Sequence, residues 1–169
     1  MSLFKKIFGS KSKPRQEDSS VDERGKYMPQ IQLPTDEKFT INFRKNGGKF
    51  LYCDSFTEVY NSLENILIEN GWEGKEALCF DEQLQERFDN FDVRFSKINM
   101  NASFYLASCE YLIADNGSIL VSSHQIKEKK RNDLPDNFVI LATTSQLVGA
   151  IGEGLRGIKN KYKSNIPSN

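Results

Sequence analysis

The chain has 169 residues, enough for one domain with a sizeable core and too few for two. Its 23 basic and 23 acidic side chains cancel, which argues against the net basic surface of a nucleic-acid-binding protein, so no nucleic-acid partner is predicted. No apolar run approaches the roughly 18 residues that cross a bilayer, and no secretory signal follows Met1. The sequence therefore predicts a cytoplasmic protein without a transmembrane segment.

Cysteine and histidine usage bears on metal chemistry. Cys53, Cys79 and Cys109 are widely spaced and form no CxxC pair, so they match neither a disulfide framework nor a four-ligand metal site. His124 is the only histidine, and any Ser-His or Cys-His arrangement would have to use it. We therefore predict no intrinsic metal, iron–sulfur cluster or other cofactor.

The first 32 residues read as a tail. The run from Lys11 to Asp22 is polar throughout and offers almost nothing to bury, so this part of the chain is predicted to be disordered. Its start has a weakly amphipathic pattern that could meet a membrane surface or a partner groove. The apolar residues of that pattern are Leu3, Phe4, Ile7 and Phe8.

Predicted helices and strands alternate from residue 33 onward. The clearest helix begins with a capping box of Ser55 and Glu58 and stops at Asn70-Gly71. Strands that alternate with helices predict an α/β sheet. The other predicted elements here are a helix from Thr35 that ends at Gly47-Gly48, strands at Lys49 to Cys53, Ala77 to Phe80 and Val93 to Ile98, and a helix from Glu82 to Phe88.

An antiparallel hairpin interrupts this alternation. The apolar runs Tyr111 to Ala114 and Ser118 to Val121 flank Asp115-Asn116-Gly117, and Asn-Gly is a strong hairpin signal because both residues tolerate positive φ. Phe138 to Ala142 is predicted as another strand. Ser145 is predicted to cap a last helix, with Leu147, Val148, Ile151, Leu155, Ile158 and Tyr162 on its apolar face.

The hairpin tip is the first candidate site. Asp115, Asn116, Gly117 and Ser118 combine a carboxylate, an amide, a hydroxyl and turn N–H groups, and such a cluster can hold a small carboxylate or a phosphate-bearing ligand. The alternative is that these are ordinary turn residues that satisfy their own backbone. We predict a functional surface around Asp115, covered by the loop from Ser122 to Arg131.

Four more residues complete the candidate set. Glu110, just before the hairpin, is a second candidate catalytic carboxylate, or else an ordinary rim residue. Ser122, Ser123 and His124 are predicted to contribute to ligand binding and could pair a nucleophile with a base, although no orienting motif accompanies them. A solvated loop is the alternative for these three. No metal ligands are predicted.

The segment from Cys109 to Ser123 resembles the LUD-domain family, the proteins similar to lactate utilisation protein C. In that family a strand enters an acidic-x-Gly-Ser/Thr turn and leaves as a second apolar strand. A Pro step, a further strand and a Gln-Leu/Ile-Val segment follow. The matching residues occur in that order as Asp115 to Ser118, Leu134-Pro135, Phe138 to Leu141 and Ser145 to Val148. Asp115-Asn116 replaces the family's common Glu-Thr, and Asp136 follows Pro135 where a second Pro is usual.

The resemblance implies a fold. It is an open Rossmann-like α/β sheet of the sugar-isomerase and CoA-transferase type, with an antiparallel hairpin, in a single domain over residues 33–169. Because family members continue into further turns and a strand, the resemblance also predicts that this domain is truncated at its C-terminus.

The resemblance also implies a function. The expected role is an accessory or small-ligand-binding subunit linked to lactate utilisation, where iron–sulfur partner subunits oxidise L-lactate to pyruvate. Two alternatives stay open. One is a CoA-transferase-like or acyl-transfer enzyme that uses Glu110 or Asp115 as a carboxylate nucleophile. The other is a non-enzymatic protein-interaction module.

Overall fold

A computed structural model describes residues 33–163 of the chain. The tail predicted for residues 1–32 lies outside the described residues. The helices are α1 Thr35–Lys45, α2 Phe56–Asn70, α3 Glu82–Arg87, α4 Ser123–Ile126 and α5 Ile151–Tyr162. The strands are β1 Lys75–Leu78, β2 Val93–Ser96, β3 Phe104–Ser108, β4 Tyr111–Ile113, β5 Ser118–Leu120, β6 Phe138–Leu141 and β7 Leu147–Val148. None of the helices in this range is long and apolar enough to cross a membrane.

The larger sheet is parallel and has the strand order β2-β1-β3-β6. Its central strand β3 is buried on both faces. On one face α2 and α3 pack through Leu63, Leu67 and Leu84 against side chains of β1 and β3. On the other face Leu134 and the partly buried Ile126 cover the alternate side chains of the same strands. Helices on a parallel sheet confirm the predicted α/β fold class.

The smaller sheet contains the predicted hairpin. Strand β4 pairs antiparallel with β5 and parallel with the two-residue strand β7. Helix α1 covers this sheet, and Phe39 of α1 is buried against Cys109, Leu112 and Ala114. Only Cys109 and Glu110 separate β4 from β3, so the smaller sheet begins at the carboxyl end of the central strand.

Two sequence predictions are wrong. Residues 49–53, predicted as a strand, form an irregular connection without strand pairing, and Leu51 and Tyr52 are exposed. Ser145 does not cap a long helix, because Leu147 and Val148 pair with β4 and α5 begins only at Ile151. At residues 147–148 strand pairing overrides the helical pattern of the sequence, whereas residues 49–53 have no strand partner.

Glycines let α5 approach β4 closely. A Cβ atom on Gly157 would lie 2.0 Å from the Tyr111 hydroxyl oxygen and 2.5 Å from ring carbon Cζ, whereas a Cβ atom on Gly152 would meet nothing within 4 Å. Gly154 is also tight, with Leu120 Cδ2 at 3.0 Å. Gly154 and Gly157 therefore permit the close packing of α5 on β4.

We expect Gly157→Ala to destabilise the protein by about 1–3 kcal/mol, because the stiff Tyr111 ring must move to admit the methyl group. Gly152→Ala is the matched control in the same helix. It should be neutral or stabilise by up to about 1 kcal/mol, since alanine favours the helix and has space there. Urea unfolding of both variants measures the difference. Equal effects would contradict the close approach of α5 to Tyr111.

Candidate functional site

The strand order of the larger sheet indicates where a ligand would bind. From β1 the chain runs through α3 to β2 on one side, then crosses to β3 on the other side. The connections of β1 and β3 thus diverge at the carboxyl ends of these strands, and open α/β sheets bind ligands at such switch points. Glu110 follows the end of β3 at Ser108 and so lies at this edge.

Glu110 is a buried carboxylate whose side chain is 1% exposed. Its Oε2 atom is 2.9 Å from the Lys161 ammonium nitrogen. Its Oε1 atom lies 2.7 Å from the Gln125 amide nitrogen, 2.7 Å from the Tyr162 hydroxyl and 2.9 Å from the Ser122 hydroxyl. We call these five residues the Glu110 cluster. It ties α4 and α5 to the start of β4.

The cluster fixes the ionisation of Glu110. Burial by itself raises the pKa of this carboxyl group, but the four hydrogen-bond donors outweigh it and lower the pKa to about 2. Burial and the contact with Glu110 both raise the pKa of Tyr162, which keeps its phenol protonated as a donor. Glu110 is therefore a fixed negative charge rather than a group that exchanges protons near neutral pH.

The outer side of the cluster is accessible. Lys161 has a side chain that is 56% exposed, and its ammonium group donates to Glu110 while facing solvent. Burial lowers the pKa of Lys161, but the hydrogen bond to Glu110 outweighs it and the net shift is upward. His124, on α4, meets the Tyr162 ring edge to face at 4.7 Å between ring centroids. The Lys161 ammonium nitrogen lies 4.9 Å from the centroid of the same ring, so a cation and an imidazole both contact Tyr162.

The cysteine thiols near this edge are not activated. Burial raises the pKa of Cys109 to about 12 and that of Cys79 to about 11, so both thiols stay protonated. Among the described residues no group of three or more His, Cys, Asp or Glu side chains is placed to hold a metal ion.

The Asp115 hairpin lies at the other end of β4, roughly 16 Å from Glu110 by the rise of an extended strand. Asp115 forms an ion pair with Lys38 of α1, and both side chains are about half exposed. The amide nitrogen of Asn42 donates to the Ala114 carbonyl at 2.8 Å. The hairpin tip is therefore joined to α1 and does not share a site with Glu110.

Three of the hairpin N–H groups already have acceptors within the protein. Asp115, Gly117 and Ser118 each donate a backbone hydrogen bond. The acceptors are the Gly149 carbonyl, the Ile113 carbonyl and the Asn116 side-chain oxygen, at 2.9, 2.9 and 3.1 Å. A ligand that binds these three N–H groups would have to displace their bonds, whereas Lys161 and His124 are accessible without such a change.

The predicted site residues thus divide between the two ends of β4. Glu110, Ser122 and His124 meet at the Glu110 end, with Ser123 as the first residue of α4. Asp115, Asn116, Gly117 and Ser118 stay at the hairpin. Sequence reasoning missed Gln125, Lys161 and Tyr162. A capping box of Ser122 with Gln125 is a local signal that could have identified Gln125. No local signal links Lys161 and Tyr162 to Glu110.

The parallel sheet, its flanking helices and the added hairpin define a Rossmann-like α/β protein with a buried carboxylate at the switch point. The family model described as the LUD domain matches residues 37–169, and the chain belongs to the LUD-domain family. A search of curated proteins and a search of solved structures each gave no match.

Proposed function

We propose that the chain is an accessory, small-ligand-binding subunit linked to lactate utilisation, and that iron–sulfur partner subunits carry out the oxidation of L-lactate to pyruvate. Membership of the LUD-domain family supports the link to lactate. The full sequence contains three widely spaced cysteines, too few for a four-cysteine cluster, which supports the assignment of the redox centres to partners.

The proposed ligand is a small carboxylate that binds at Lys161 and His124. An ammonium group has three donors, and the one hydrogen bond to Glu110 leaves donors on Lys161 for a ligand. A charge-assisted bond to a carboxylate is about twice as strong as a neutral one. The observation that carries this proposal is the Glu110 cluster at the switch point, which holds an exposed cation in a fixed position.

Glu110 acts in this proposal as a positioning residue. Its carboxylate holds Lys161 charged and orients Tyr162, which in turn supports the His124 ring. The alternative role as an acyl-transfer nucleophile needs an accessible oxygen, but both oxygens of Glu110 already accept hydrogen bonds and the side chain is 1% exposed. The contacts thus favour positioning over covalent catalysis.

Calorimetric titration with L-lactate, pyruvate and acetate tests the ligand proposal. We expect L-lactate or pyruvate to bind more tightly than acetate. The 2-hydroxyl group of lactate or the 2-oxo group of pyruvate, which acetate lacks, can contact His124. Lys161→Met should weaken binding about tenfold or more, since it removes the charge-assisted bond and keeps the aliphatic stem. Lys159→Met is the matched control, an exposed lysine of the same helix outside the cluster, and should change affinity less than about twofold.

Two further arms separate the alternatives. If Asp115→Asn abolishes binding and Lys161→Met does not, the ligand site lies at the hairpin and the proposed location is wrong. If none of the three acids binds, the ligand-binding role is wrong. Loss of growth on L-lactate when the gene is deleted from its source organism, with growth on pyruvate kept, tests the link to lactate separately.

A further inference from the structure

Helix α4 covers the Glu110 end of the sheet through a small number of contacts. Ser122 and Gln125 bond to Glu110, and the Tyr105 hydroxyl donates to the Gln125 carbonyl at 2.5 Å. Ile126 packs against the core, and His124 contacts the Tyr162 ring of α5. The helix has only four residues, so its own backbone hydrogen bonds add little to hold it in place.

The chain leaves α4 through an unfavourable backbone conformation. Lys127 and Glu128 are consecutive non-glycine residues with positive φ, at 49° and 61°. Side chains with a Cβ atom rarely adopt this left-handed region, and two such residues in a row store strain in the closed position. Opening of α4 would relieve that strain, whereas the Glu110 and Tyr105 contacts oppose it.

We propose that α4 is a flap over the switch point that opens independently of the rest of the domain. The flap carries His124, and Lys161 belongs to α5, which stays in place. A carboxylate ligand that touches both residues can bind only when the flap is closed. In this respect the inference rests on the proposed function: the ligand would shift the population toward the closed flap.

Native-state amide exchange of the ligand-free protein tests the flap itself. The reporters are the Gln125 and Ile126 amides, which bond to the Ser122 carbonyl within the flap. Opening breaks these bonds, because a helix of four residues does not persist without its contacts to the core. The reference is the Cys79 amide of the core, bonded to the Ser96 carbonyl. We expect the flap amides to exchange at least about 100-fold faster than the reference after correction for intrinsic rates.

Substitutions at Lys127, where the chain leaves α4, and at Tyr105 make the test specific. Lys127→Gly should slow exchange of the flap amides about fivefold, because glycine adopts the left-handed conformation without strain. Lys129→Gly is the matched control, with the same loss of charge but at a residue without positive φ, and should not slow exchange. Tyr105→Phe should speed flap exchange about fivefold, since it removes the hydrogen bond to α4 and keeps the ring.

Exchange of the flap amides at the same rate as the Cys79 amide would overturn the proposal, and so would the absence of slowing in Lys127→Gly. Pyruvate is the probe for the ligand arm, and it should slow flap exchange in the wild-type protein but not in Lys161→Met. If the flap opens independently and responds to Lys127→Gly, but pyruvate has no effect, the flap proposal is supported and the proposed ligand is wrong.

Discussion

Glu110→Gln is expected to lower the free energy of unfolding by about 2–4 kcal/mol at neutral pH, because it removes a buried charge and turns an acceptor into a donor. The new amide group would face four hydrogen-bond donors, from Ser122, Gln125, Lys161 and Tyr162. At least one pair of donors would then point at each other. Urea unfolding of wild type and variant measures the change.

Glu69→Gln is the matched control. Glu69 pairs with Lys49 at 2.8 Å, nearly the same distance as the 2.9 Å between Glu110 and Lys161, but its side chain is 64% exposed and that of Lys49 is 80% exposed. An exposed pair of this kind contributes about 0–1 kcal/mol. Similar effects of the two substitutions would contradict the assignment of Glu110 as a buried anchor.

The stabilisation from Glu110 depends on pH with a definite sign. The pKa of Glu110 in the folded protein is about 2, below its ordinary value of 4.5. A carboxyl group with a lowered pKa stabilises the folded protein at pH values above its ordinary pKa. That stabilisation is lost as the pH falls from 4.5 toward 2. The stability difference between wild type and Glu110→Gln should therefore be constant near neutral pH and shrink below pH 4.5. A difference that does not shrink would contradict the pKa assignment.

Gly117→Ala is expected to destabilise the protein by about 3–5 kcal/mol. Gly117 has φ of 67°, and a Cβ atom there would lie 2.3 Å from the Phe43 backbone nitrogen and 2.4 Å from the Asn42 carbonyl carbon. These are backbone atoms of α1, so relief requires the whole helix to move off the hairpin. Thermal and urea unfolding measure the loss.

Gly71→Ala measures the cost of a left-handed alanine without a steric clash. Gly71 ends α2 with φ of 65°, almost the value at Gly117, but a Cβ atom there would meet nothing within 4 Å. It should cost only about 1–2 kcal/mol, the cost of a left-handed alanine. If both substitutions destabilise equally, the close contact between α1 and the hairpin is wrong.

Local signals predicted much of the fold. The capping box at Ser55 and the Asn116-Gly117 turn each depend on neighbouring residues, and both α2 and the hairpin are confirmed. The central strand β3 was not predicted, because residues 104–107 are buried on both faces and show no alternation of apolar and polar residues. The pairing of Leu147 with Leu112 in β7 was also beyond local patterns.

The candidate site was harder to predict because its contacts join residues that are far apart in the sequence. Glu110 meets Ser122 across a hairpin, but it meets Lys161 only because the glycines of α5 let that helix lie close to β4. No spacing along the chain encodes this contact. The sequence identified Asp115 from its turn chemistry, and a role of Asp115 in ligand binding stays a prediction.

The most direct test of the ligand-binding site is the change in amide and side-chain chemical shifts when the protein is titrated with pyruvate. We predict saturable shifts at Ser122, His124 and Tyr162, with little change at the Asp115 hairpin. Saturable shifts confined to the residues from Asp115 to Ser118, or no saturable shift at either end of β4, would contradict a carboxylate site at the Glu110 cluster.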